Sequence, residues 1–153
     1  MVPELSGARR GGSGSHAGPS RRSLGPMRLK MCSIHVKDPA AAFEFYTGIL
    51  GLESLLAMPE HNLFIVKDPA GSGAGSAGLL LEPSDNPIGA AYMNGCHDAG
   101  MPAIVLGVPD VRAEFKRLTA KGVIFQGEPS DGPGGTTAVF DDGCGNFVQL
   151  HQD

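Results

Sequence analysis

Two stretches of the chain repeat one another at a spacing of 72: Val36-x-Asp38 matches Val108-x-Asp110, and Phe43 matches Phe115. The glycines that close the runs after them, Gly51 and Gly122, match at 71. A repeat of this size in 153 residues means two copies of one supersecondary unit, each too small to bury its own apolar face. The chain is therefore expected to be one domain made of two modules.

The first copy begins with "LKMCSIHV", whose alternation puts Leu29, Met31, Ser33 and His35 on one face of a strand and Cys32, Ile34 and Val36 on the other. Asp38 then offers an N-cap, Pro39 suits the first helical position, and apolar residues recur at helical spacing until Gly51. Three strands are expected next, near "ESLLAM", "NLFIV" and "AGLLLEP", with "DPAGSGAGS" as a flexible loop, a candidate lid, between the last two. The second copy reads in the same order, with strands near "AIVLGV", "VIFQ", "TTAVFD" and "NFVQLH", and "PSDGPGG" as a further loop. The expected fold class is α+β: two tandem βαβββ modules pairing into an incomplete curved barrel, with a pocket on its concave side.

The opening 26 residues are Gly, Ser, Pro and Arg with little to bury, which predicts a disordered tail over 1–26. Their Gly and Pro content opposes the amphipathic helix of a transit peptide. One domain follows over 27–153: module one at about 28–86, a linking helix at about 87–100 and module two at about 101–151. The tail carries a net charge of +3, which leaves −7 on the rest of a chain whose total is −4. An acidic body argues against a nucleic-acid partner. No apolar run is long enough to cross a bilayer, so no membrane partner is expected. Three scattered cysteines without C-x-x-C spacing fit a reducing, cytoplasmic location.

"HVKDPAAAFEFYTGILGLE", "LLLEPSDNP" and "FDDGCGNFVQLHQ", in that order, resemble the vicinal oxygen chelate superfamily, the glyoxalase, bleomycin-resistance and extradiol-dioxygenase group. The resemblance spans residues 28 to 151 and implies the paired βαβββ fold. Metal enzymes of this group take ligands from the first and last strand of each module. Counting back seven residues from each capping Asp places the first-strand positions at Met31 and Ala103, and the last-strand positions fall at Glu82 and Gln149. Ala103 has no donor and Met31 only a soft thioether, which leaves too small a set for a hard or borderline ion. No cofactor is therefore expected. A divalent ion (Zn, Ni, Mn or Fe) at a relocated site using His35, His61 or His151 with Glu82 is the alternative.

The expected ligand-binding positions are these four together with Ser33, His35 and Val105. Glu82, after three leucines, is also the candidate general base if it is desolvated at a pocket rim. Cys144 has no neighbouring cation to activate its thiol and reads as structural. The resemblance leaves three functions open. The chain could sequester a small organic ligand without metal, as bleomycin-resistance proteins do, with a homodimer allowed. It could instead be a glyoxalase-like lyase, isomerase or dioxygenase with an atypical site. Third, it could be an accessory subunit with a vestigial pocket.

Overall fold

The computed structural model describes residues 24–69 and 77–153. The tail over 1–23 and most of the expected lid loop lie outside the described residues, and residues 24–30 carry no helix or strand.

The alternating segment forms β1, Met31–Val36, with Ile34 and Val36 buried. Cys32 shares the face of Ile34 and Val36 but, at the start of the strand, is exposed. Asp38 caps α1, Pro39–Glu44, accepting from the amides of Ala40 and Ala41 at 3.0 and 3.2 Å. The helix then widens into a π-helical turn, Phe45–Ile49, closed by the Leu50 amide on the Phe45 carbonyl. Gly51 ends it at φ +84° and Gly122 ends the matching helix at φ +87°, a conformation in which a side chain would be strained.

Strands β2 (Glu53–Met58), β3 (Leu63–Lys67) and β4 (Gly78–Pro83) complete the first sheet, in the order β1-β4-β3-β2. His61 closes a 3-10 turn, Pro59–His61, ahead of β3. The linking helix α2, Pro87–Asp98, is capped by Asn86, which accepts from the Gly89 amide at 2.7 Å.

The second module follows as β5 (Pro102–Gly107), α3 (Val111–Ala120), β6 (Ser130–Gly132), β7 (Gly135–Asp141) and β8 (Phe147–Gln152). Its sheet has the matching order β5-β8-β7-β6. Here one expectation fails: "VIFQ" makes only a single bridge, Phe125 to Phe140, and β6 lies instead in the segment read as a loop. Asp141 and Gln126 amides do bond the Ile124 and Val139 carbonyls. Gly127 and Pro129 then break the run, and ladder pairing resumes only at Ser130.

The sheets stay open and do not close into a barrel. Their helix-bearing faces share one core, in which Val36, Val66 and Leu81 of the first sheet join Phe140, Val148 and Leu150 of the second. Tyr46, fully buried after α1, crosses to the second module, where its hydroxyl donates to Asp142 Oδ2 at 2.8 Å. Arg117 of α3 donates to the Ile49 carbonyl at 3.0 Å in the other direction.

Candidate functional site

With the helix sides spent on the shared core, the other face of each sheet turns outward. On the first sheet that face carries Met31, Ser33, His35, Leu80 and Glu82; on the second it carries Val105, Gln149 and His151. Met31 is 46% and Val105 57% exposed, and Leu55 and Leu56 at the other edge of the first sheet are exposed as well.

Strand register decides which of these residues meet. In the parallel β1–β4 pair, Met31 is level with Gly78, Ser33 with Leu80 and His35 with Glu82. In β5–β8, Val105 is level with Gln149 and Gly107 with His151. By the 72-residue repeat, Ser33 corresponds to Val105 and His35 to Gly107. Hence Gln149 corresponds to Leu80, and Glu82 to His151. Glu82 and Gln149 thus occupy rungs two residues apart in their modules, and Met31 lies four rungs from Glu82, roughly 13 Å along the strands. Ala103 falls in the irregularity between the Pro102 and Ile104 pairings and packs against the core. The structure therefore brings together His35 with Glu82, and Val105 with Gln149, but not the four supposed ligand positions.

His35 is held firmly. The Asn146 side-chain amide donates to its carbonyl at 2.7 Å, and the Lys37 amide donates to the Cys144 carbonyl at 2.9 Å. Its Nδ1 is buried against Gly89 and has no hydrogen-bond partner among the described residues, and a Cβ at position 89 would come within 2.6 Å of it. The contact seals that ring nitrogen from solvent.

The turn that holds β1 is itself ordered by Asp142. Its Oδ1 accepts from the amides of Cys144 and Asn146 at 2.7 and 3.0 Å, while Oδ2 takes the Tyr46 hydroxyl. Burial raises the Asp142 carboxyl above its ordinary range despite these donors, and burial followed by the Asp142 charge holds the Tyr46 hydroxyl well above its own. Burial and the same charge push Cys144 up to about 12, so its thiol is protonated at neutral pH.

One polar pair escaped the sequence reading. His97 of α2 stacks on Phe147, with centroids 4.4 Å apart and planes 7° from parallel, and its Nε2 lies 3.0 Å from Asp141 Oδ2. Phe147 and Asp141 face each other across β8 and β7 on the outward side, two rungs from Gln149. Nothing in the spacing of His97 and Asp141 announces the contact. Only the acidic doublet Asp141-Asp142 was a visible signal. Among the described residues, no three His, Cys, Asp or Glu side chains come close enough together to hold a metal ion. No helix of the described residues is long and apolar enough to cross a membrane.

Two βαβββ modules with this sheet order and a shared helix-side core define a paired-module fold, and comparison with known proteins gives it a family. Residues 28–150 match the model of the Glyoxalase/Bleomycin resistance protein/Dioxygenase superfamily, and the chain belongs to it. It is 36% identical over 126 residues to the uncharacterized protein YurT of Bacillus subtilis (strain 168), covering 82% of this chain and 99% of that protein. Among solved structures it is similar to UcmS2, at a TM-score of 0.67 and 29% identity over 82% of this chain and 98% of that one. It is also similar to TnmS3, an antibiotic binding protein from Streptomyces sp. CB03234, at a TM-score of 0.64 and 26% identity over 84% and 98% of the two chains.

Proposed function

We propose that this protein binds a small organic molecule on its outward sheet faces, without the divalent metal its family often uses, and that it does so in the cytoplasm. The observation that carries this reading is the register. Met31 and Glu82 stand four rungs apart, Ala103 is turned to the core, and Gln149 has the apolar Val105 beside it, so the residues present do not fit a chelated ion. The face left behind sets the apolar Met31, Leu80 and Val105 among the hydrogen-bonding Ser33, His35 and Gln149, a mixture that suits an organic ligand. TnmS3, a structural relative, is described as an antibiotic binding protein, and the ligand class proposed here is the same.

An open sheet face makes only one wall of a pocket. Exposed Met31, Leu55, Leu56 and Val105 are the residues a second wall would cover, and a second copy of the chain is the proposed source. The test is calorimetric titration of chelator-treated protein with bleomycin and polycyclic antibiotics, alongside its mass in solution. Saturable binding by a dimer supports the reading; a monomer that binds none of them contradicts it.

One observation favours a second reading. His35 and Glu82 lie side by side on neighbouring strands, an arrangement that could move a proton on a bound substrate. In that case Glu82→Gln would abolish turnover and leave the fold intact.

A further inference from the structure

The two copies of the repeat differ by one residue along their first helix: thirteen positions separate Asp38 from Gly51, but twelve separate Asp110 from Gly122. The first copy takes up its extra residue in the π-helical turn, where the Leu50 amide reaches back five residues to the Phe45 carbonyl at 3.1 Å. The second copy, α3, is α-helical from Val111 to Ala120 and stops at its glycine without such a turn. The repeat unit therefore folds without the extra residue, and the π turn is not a requirement of the fold. Turns of this kind are rare and recur at functional sites.

This one carries Phe45 and Ile49, and both line a cleft of about 470 Å³ where the modules meet, opposite Gly122, Val123 and Gly143 of the second module. None of the seven positions singled out in the sequence lies on it. We propose that the π turn shapes this cleft into a second binding site, for a neutral organic molecule with an apolar, ring-sized body. Its volume falls within the roughly 300–1,000 Å³ of small-molecule pockets.

The lining sets the class of ligand. Asp141 and Asp142 border the cleft, but their carboxylates are engaged elsewhere. Asp142 is 2% exposed, with Oδ2 taking the Tyr46 hydroxyl and Oδ1 two backbone amides. The Asp141 carboxylate takes the Gly143 amide and lies on His97, on the outward side of the sheet. Lys121, also on the lining, is exposed, so its ammonium can stay in water. A ligand thus meets the apolar Phe45, Ile49 and Val123, with no fixed charge free to pair with it among the described residues. A charged molecule would lose hydration there without a partner, a cost that a neutral ring does not bear. This site does not depend on the outward faces and stands whether or not they bind a ligand.

The experiment is titration of the full-length, isotope-labelled protein with 2-naphthylmethanol, followed by amide NMR, with 2-naphthylmethylamine and 2-naphthoate as cationic and anionic analogues. The neutral probe is expected to shift the amides of Phe45, Gly122, Val123 and Gly143 saturably. It should bind at least about tenfold more tightly than either analogue, because only they would bury an unpaired charge. Ile49→Trp, which fills the cleft, should abolish these shifts, and Lys121→Ala, at an exposed side chain, should leave them unchanged. The probe series is read on the native protein and so decides the question even if Ile49→Trp fails to fold. No saturable shift, shifts confined to the outward faces, a charged analogue that binds as tightly as the neutral one, shifts that survive Ile49→Trp, or shifts lost on Lys121→Ala would each overturn the proposal.

Discussion

Tyr46 and Asp142, 96 residues apart in sequence, are joined by a 2.8 Å hydrogen bond inside the core. It ties the helix of one module to the turn of the other, and that turn holds the end of β1 through Asn146. The same bond thus joins the modules and positions His35. Tyr46→Phe should lower the unfolding free energy by about 1–3 kcal/mol, because a buried carboxylate loses a donor that water cannot replace. Urea denaturation checks this, and an unchanged midpoint would show that the bond does not hold the modules.

The same tyrosine sets a pH dependence. Its folded-state value is held well above the ordinary 10.0 by burial first and by Asp142 second. The folded protein keeps this proton where the unfolded chain releases it. Its contribution is therefore complete below pH 10.0 and is lost as pH rises beyond it. Stability measured from pH 9 to 11 (roughly the range in which a free tyrosine titrates) should fall more steeply in the native protein than in Tyr46→Phe. Parallel slopes would contradict the assignment.

Gly89 is required for space. An added Cβ would stand 2.6 Å from His35 Nδ1 and 2.7 Å from Cε1, inside contact distance. Although alanine suits helices better, Gly89→Ala should destabilise by about 1–3 kcal/mol through overpacking. A neutral or stabilising effect, read from thermal melts, would mean that His35 can swing away from α2.

The cysteines should differ in reactivity. Cys32 is exposed, whereas Cys144 is buried with its thiol pushed up to about 12. Iodoacetamide at neutral pH should alkylate Cys32 in the native protein and reach Cys144 only after denaturation. Mass spectrometry of the peptides distinguishes them, and early labelling of Cys144 would count against its structural role.

Val105 probes the outward face. It is 57% exposed, so Val105→Arg removes little burial and should change stability by less than about 0.5 kcal/mol. If that face binds ligand and partner, the same change should weaken both, which titration and sedimentation would detect. A variant that binds and associates like the parent would remove the face from the site.

Much of the fold was legible because its signals are local. Asp38 and Asp110 cap helices as their positions predict, and alternation in β1 places Ile34 and Val36 in the core. The second-module strand was misplaced because Val123 to Gln126 is apolar enough to read as a strand, while Gly127 and Pro129 prevent a ladder from forming there. Register was not legible. That Glu82 stands level with His35, and Gln149 with Val105, depends on pairing between distant strands, which no count from a capping residue can supply. The same limit hid His97 with Asp141, a contact made only when α2 lies across the second sheet.

Metal retention tests the central claim most directly. The purified protein would be incubated with Ni, Zn, Mn and Fe(II), freed of excess ion and subjected to elemental analysis. Binding of an organic ligand without metal predicts that no stoichiometric ion is retained. A stoichiometric ion that is lost on Glu82→Ala would contradict it and make Glu82 a ligand.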